Sequence, residues 1–486
     1  MSIEPSASEP PRTALFGDLP TSPRRSEGGI GGRGAPRILV AQRDQLEFQP
    51  CDLDALLAPD HAARMVWTFV EALDLAPLYG AIRAIEGHAG RPAIDPKILV
   101  ALWLYATVDG VGSARELDRL CTRDAPYRWL AGGVGLNHHT LAEFRTAHGA
   151  WLDRELTRSV AALLDRGLVT LEVVAQDGLR VRASAKAASF RRRARLEQLL
   201  ATARTQVEAL KAELGAEPDA STRRKQAART RHAREREARL AEALATLDEI
   251  EGVQAPTAAP GAGDGTLPSD LSPPPISGEA PPSNKKPDAK APEAKKSERR
   301  VSTTDPEARV MKMADGGFRP AFNAQLAVDV ATQLVAAVDI VNSGSDSGQM
   351  APMHDSVCTR YHCTPAHWLA DGGYANLAAI DQLAQAGSQP CVPVPKSRNP
   401  AIDPHHPKPN DLPAVAAWRT RMAEAATRVL YKLRGASVEC ANAQFRRRGF
   451  THIPVRGLDK ARTVLLWHAL AHNVMRMASL GFLRPA

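Results

Sequence analysis

HWLADGGY, residues 367–374, is a short apolar run that ends in an acid and a pair of glycines, the pattern of a strand delivering Asp371 to its C-terminal end. Downstream lies YKLRGASVECANAQFRRRGF, residues 431–450, which carries Tyr431, Arg434, Glu439 and Arg446. An acid at a strand end, a glutamate on a later helix and basic side chains around both suit metal-assisted phosphodiester chemistry, which needs a further carboxylate. LVTLEVVAQDGLRVRA, residues 168–183, supplies it: a β-branched, apolar run from Leu168 to Ala175 is expected to deliver Asp177 into a turn opened by Gly178. Asp177, Asp371 and Glu439 are therefore the candidate catalytic and metal-binding triad. Taken singly, Asp371 is a plain turn residue and Glu439 a solvated helix carboxylate. Asp329, Asp339 and Asp346 are rival acids, and Asp346 in GSDSGQ reads as the cap of the next helix.

The composition is compatible with this chemistry. A chain of 486 residues is too long for one ordinary core, and 44% hydrophobic residues are ample for burial. A net charge of +8 points to a polyanion, nucleic acid before membrane, although 62 basic residues face 54 acidic ones and much of that is surface pairing. The six cysteines, at 51, 121, 358, 363, 391 and 440, have no framework spacing; Cys358 and Cys363 beside His354 and His362 lack the second pair that a zinc site needs. No signal-peptide pattern and no apolar run of membrane-spanning length is found, so a reduced, cytoplasmic protein is expected.

Along the chain, residues 1–45 are rich in Ser, Pro, Gly and Arg and are expected to form a disordered basic leader. From 46 to 165 the pattern is helical: Asp60 is an N-cap ahead of HAARMVWTFVEAL, Asp95-Pro96 opens KILVALWLYATVDG, and Ser113 caps ARELDRLCTR. Trp103, Leu104, Trp129 and Leu130 are assigned to the core, Asn137, His138 and His139 to a helix start, and the basic residues Arg115, Arg119, Arg123 and Arg145 to an exposed DNA-binding face. Residues 166–186 hold the first strand. In 187–252, Leu196, Leu200, Ala203, Val207, Leu210 and Leu214 recur at alternating spacings of four and three, Pro218-Asp219 breaks the seam, and Leu240, Leu244 and Leu247 resume it. An antiparallel coiled-coil hairpin is the first reading, with dimerisation or DNA-backbone contact as the second. Residues 253–300 are a Pro-, Ala- and Lys-rich linker expected to be disordered. From 301 to 486, strands alternate with helices, which implies a mixed sheet with a parallel section.

With these segments in order, the chain resembles the DDE transposases of bacterial insertion sequences. The resemblance rests on GRPAIDPKILVALWLYATVDGVGSARELDRLCTRDAPYRWLAGG (90–133), NHHTLAEFR (137–145), QDGLRVRASA (176–185), STTDPEARVMKMADGGFRPAFNAQLAVD (302–329), GSDSGQMAPM (344–353), LADGGYAN (369–376) and the block Tyr431-x2-Arg434-x4-Glu439-x6-Arg446. It implies an α/β fold with an RNase H-like mixed-sheet catalytic domain, an all-helical N-terminal domain, and the hairpin and linker inserted after the first strand. It also implies metal-dependent cleavage at insertion-sequence ends and strand transfer, with two Mg²⁺ or Mn²⁺ ions as cofactors. Double-stranded DNA, as terminal inverted repeats and target, would be the partner of a homodimer located in the cytoplasm at the nucleoid. Tyr431, Arg434 and Arg446 are assigned to DNA, with Gly435 expected to interrupt the helix; Arg446 keeps the Lys or Arg of the family pattern, whereas Leu179 departs from the small hydroxyl residue that often follows the first Asp-Gly. The alternatives are a catalytically silent DNA-binding protein or repressor derived from a transposase, and an RNase H-like nuclease without strand transfer.

Overall fold

Capping residues set the helical part of the chain. Asp95 accepts from the Lys97 amide and Pro96 takes the first helical position, Ser113 accepts from Glu116 N–H, and Asn137 accepts from His139 and Thr140 N–H. The helices are α1 (Ala62–Glu71), α2 (Ala76–Gly80), α3 (Pro96–Val108), α4 (Ala114–Arg123), α5 (Ala125–Ala131), α6 (His138–Ala147) and α7 (Gly149–Asp165). The cap of α1 is His61, whose ring accepts from Ala63 N–H, and not Asp60 as expected. Trp103, Leu104 and Leu130 are buried, while Trp129 is half-exposed, edge-on to Trp67 and bonded to Asp54. The computed structural model describes residues 52–84, 92–213, 220–252, 299–397, 399 and 401–484, with side chains at 220–224 excepted. The expected leader over 1–45, Cys51, the Pro218-Asp219 break, and the expected linker apart from its last two residues lie outside the described residues.

The sheet is built on β1 (Val173–Arg182), which pairs antiparallel with β5 (Phe318–Asp329) on one side and parallel with β7 (His367–Leu369) on the other. β7 continues in parallel to β8 (Gln389–Cys391), and the far edge of β5 is shared by β4 (Arg309–Lys312) and β6 (Val335–Val341), both antiparallel. Between β1 and β4 the chain passes through β2 (Phe190–Arg191), α8 (Arg193–Glu213), α9 (Ala220–Gly252) and β3 (Val301–Ser302). β2 and β3 pair with each other, so the excursion leaves and returns at one point. Leu196, Leu200 and Ala203 of α8 bury against Leu240, Ala243 and Leu247 of α9. Arg193 reaches Asp248 and Glu251, and Arg204 lies 3.6 Å from Glu237, which makes the two helices antiparallel.

The second half adds α10 (Met350–Tyr361), α11 (Leu377–Gln385), α12 (Pro413–Ala423), α13 (Ala425–Arg434), α14 (Cys440–Arg447) and α15 (Leu458–Ser479). α15 is buried along most of its length and packs on α3, α6 and α7 as well as β6. Its Asn473 amide exchanges two hydrogen bonds with the Val335 backbone, and Trp467 donates to the Arg145 carbonyl. The last helix thus joins the sheet to the helical region through one continuous apolar core. Among the described residues, no helix is long and apolar enough to cross a membrane.

Candidate active site

Asp177 is in the middle of β1, not in a turn. Gly178 continues the strand opposite Gln325, and Leu179 and Val181 keep the inward alternation. The glycine is needed for space rather than for a turn: a β-carbon at 178 would stand 2.4 Å from Asp346 Oδ1, 2.8 Å from Gln325 Nε2 and 2.9 Å from Asn323 Oδ1. Gly178→Ala is therefore expected to cost about 1–3 kcal/mol, the usual range for overpacking a full site, and to lower cleavage by displacing Asp177. Thermal melting and cleavage assays of the variant check both effects.

Asp371 follows β7 by two residues and caps a tight turn at Gly372–Tyr374, accepting from Gly373 N–H at 2.8 Å. Because β7 lies parallel to β1, the two strands bring Asp371 beside Asp177 at the same side of the sheet. Glu439 ends a π-helical turn, Gly435–Glu439, that joins α13 to α14. Gly435 does not interrupt the helix as expected. Ser437 Oγ donates to the Leu433 and Arg434 carbonyls and carries the chain through the wide turn.

The Arg434 guanidinium lies between the first and last of these carboxylates, 3.6 Å from Asp177 Oδ1 and 2.8 Å from Glu439 Oε1. On α14, Asn442 is buried and donates to Asp177 Oδ2 at 2.8 Å, leaving its own carbonyl oxygen without a partner. Burial pushes the Asp177 carboxyl up to about 6, and the neighbouring Asp371 and Asp346 charges add to this against the opposing pull of Arg434 and Gly178 N–H. Burial also raises the Tyr431 hydroxyl above its ordinary range, with Arg434 opposing and Asp371 and Asp177 adding. Glu439 and Arg446 are exposed.

Asp346 is the residue that sequence reasoning misplaced. It does not cap α10, whose N-cap position is Gln349 with no side-chain capping bond. Its Oδ1 instead accepts from Asn323 Nδ2 at 2.7 Å and Gln325 Nε2 at 2.9 Å, and Arg180 lies 3.4 Å from Oδ2. A buried amide relay stands behind it: Trp368 Nε1 donates to Gln176, Gln176 donates to Gln325, and Tyr374 also donates to Gln325. The signal was present as polar residues at 323 and 325, positions whose neighbours on β5 are apolar, and at 176 between Ala175 and Asp177. The other two rivals have structural roles, since Asp329 closes the β5–β6 turn through Thr332 and Asp339 faces Arg462 at 3.5 Å.

Among the described residues, no three His, Cys, Asp or Glu side chains enclose a metal position as they stand, and Glu439 is turned toward Arg434. The chemistry of the donor set nevertheless fits a hard divalent cation. Asp177 is raised by burial first, with the Asp371 and Asp346 carboxylates adding, and the Asn442 and Asn323 carbonyl oxygens are buried and unpaired. Of the proposed DNA-contacting bases, Arg115, Arg119 and Arg123 are exposed on α4, with Arg119 paired to Glu116. Arg145 is a correction: it is half-buried rather than exposed, donates to the Gly112 carbonyl and lies over the Trp103 ring.

Two families match the chain, the transposase DDE domain over residues 288–474 and the transposase domain DUF772 over residues 51–147. The first spans Asp371 and Glu439, and the second spans α1 to α6. No curated protein and no solved structure gives a significant match. The chain belongs to the DDE transposases of insertion sequences, and its process is DNA transposition.

Proposed function

We infer that this transposase cleaves the ends of its insertion sequence and joins them to target DNA at one site formed by Asp177, Asp371 and Glu439. The observation that carries the reading is the approach of Asp177 and Asp371 from the parallel strands β1 and β7 beside the helix that bears Asn442 and Glu439. The strand order, with β1 central, antiparallel to β5 and parallel to β7 and β8, supports an RNase H-like core, and the α8–α9 pair supports an inserted coiled-coil hairpin.

Asp177, Asp371 and Glu439 would hold Mg²⁺ or Mn²⁺, two ions in the proposed scheme, which would stabilise charge on the attacking and leaving oxygens. Glu439 joins the other two only if Arg434 leaves its position between them, and Arg434 is then free to take a DNA phosphate. Asn442 holds Asp177 in orientation throughout. Water attacks the phosphodiester at the element end and frees a 3′-hydroxyl, and that hydroxyl attacks the target strand; no covalent bond to the protein forms. Tyr431 and Arg446 flank the path of the DNA, Arg115, Arg119 and Arg123 bind it in the helical domain, and a homodimer holds the paired ends. The silent DNA-binding reading is favoured by one observation, the Arg434 ion pairs that occupy the space between Asp177 and Glu439.

Mg²⁺-dependent cleavage of DNA carrying the element's flanking sequences separates the two readings. Loss of cleavage in Asp177→Ala, Asp371→Ala and Glu439→Ala with DNA binding retained supports the enzyme. A wild-type chain that binds the ends but never cuts supports the silent protein. Arg446→Ala is expected to lower end cleavage more than bulk DNA binding, and equal losses in the two assays would remove it from the site.

A further inference from the structure

We propose that the cavity bounded by the α3–α4 turn, α6 and the α14–α15 connection is a nucleotide pocket that receives one unstacked nucleotide of the DNA substrate. The proposal rests on the transposase reading only for the source of the nucleotide.

The cavity measures about 590 Å³ and has an apolar interior formed by Trp103, Val111, Ala142, Val464 and Trp467. Arg115, Arg145, Arg448, His138, His139 and His452 supply its polar lining, and among the described residues no aspartate or glutamate contributes. Two of the arginines are held in the wall without a carboxylate. Arg145 has a buried Nε with no hydrogen-bond partner, and Arg448 makes a 3.5 Å contact to His472 Nδ1. Burial depresses both guanidinium groups below their ordinary range, with Arg447 adding to the effect on Arg448, as expected for positive charge lacking a counter-ion. α4 begins at this wall with Ser113 and Ala114, so the positive end of its dipole adds to the same potential.

An apolar interior under a cationic rim matches a base attached to a phosphate. A bare phosphate would leave the Trp103 and Trp467 side unfilled, and a duplex backbone offers no group to enter it. Proteins that bind unpaired strands combine these two features, a basic track and apolar or aromatic surfaces for the bases. The pocket is also placed to meet a strand engaged at the carboxylates. α14 carries Asn442 at the site, and Arg448 follows directly after its end, six residues or roughly 9 Å of helical rise away.

The test uses the full chain in EDTA, so that cleavage plays no part and a failure of the catalytic reading leaves the result unaffected. Fluorescence anisotropy compares a short single-stranded oligonucleotide with a fully paired duplex of the same length. Ala142→Trp, which fills the cavity, and Arg448→Gln are each expected to weaken single-strand binding by about tenfold while duplex binding changes less than about twofold. His139→Gln at the exposed rim provides a variant that leaves the buried wall intact, with the same preference in its effect. Unchanged single-strand binding, or equal losses on both DNA forms, overturns the pocket. Thermal stabilisation by a deoxynucleoside monophosphate but not by inorganic phosphate, lost in Ala142→Trp, is the expected companion result. Equal stabilisation by inorganic phosphate would reduce the site to an anion hole, and free-nucleotide binding with no response to the oligonucleotide would overturn the DNA source.

Discussion

Asp177→Asn is expected to abolish metal-dependent cleavage, a loss of roughly 10³-fold, while the chain stays folded and binds DNA. The substitution keeps a carbonyl oxygen for Asn442 Nδ2, removes the charge, and puts an amide NH2 where the other oxygen accepts from Gly178 N–H and faces Arg434. It is expected to increase stability at neutral pH. The Asp177 carboxyl, 18% exposed, rises from 3.8 to about 6 in the fold, so the folded state holds this proton more tightly than the unfolded chain does. The wild type therefore loses stability as pH climbs between these two values, in total about 3 kcal/mol once Asp177 is ionised. The Asn variant escapes this loss, so its melting temperature should match the wild type near pH 4 and exceed it above about pH 6. Mg²⁺ should stabilise the wild type at pH 8 more than at pH 5 and should have little effect on the variant. A variant that still cuts, or that melts lower than wild type at neutral pH, would contradict the placement of this charge.

Trp368→Ala is the substitution expected to cost most in stability, about 3–5 kcal/mol as for other large-to-small changes in a core. The ring is fully buried on β7 between β1 and β8, lies edge-on to His354, and donates from Nε1 to Gln176 Oε1. Its removal leaves a cavity and strips the first donor from the amide relay that ends at Asp346 and Tyr374. Trp368→Phe fills most of the volume but leaves Gln176 Oε1 unpaired, a penalty of about 1–3 kcal/mol. Denaturant melts of the two variants separate packing from the hydrogen bond. A Phe variant as unstable as the Ala variant would assign the whole effect to the relay.

The three candidate acids stood out because each sits at a change of pattern: Asp177 and Asp371 follow apolar runs, and Glu439 lies within a basic helix. The helix starts at Asp95, Ser113 and Asn137 were legible because capping is a contact between residues two or three apart. Asp60 failed on the same scale because its neighbour His61 makes the bond. Other errors share a cause. Gly178 has the look of a turn, and only the arrival of Asn323, Gln325 and Asp346 from distant parts of the chain explains a glycine in a strand. Asp346 has the local setting of a cap, yet its partners lie 21 and 23 residues away on β5. Arg145 has the look of an exposed base, and the Gly112 carbonyl 33 residues away takes its guanidinium.

By itself, then, the sequence determined the element types, the candidate acids and the family, because periodicity, capping and motif order are properties of neighbours along the chain. The tertiary structure decided which acids share a neighbourhood, that Arg434 stands between Asp177 and Glu439, and that α15 joins the helical region to the sheet. Those outcomes depend on burial and on charges brought together across hundreds of residues, and such terms exist only once the sheet has closed.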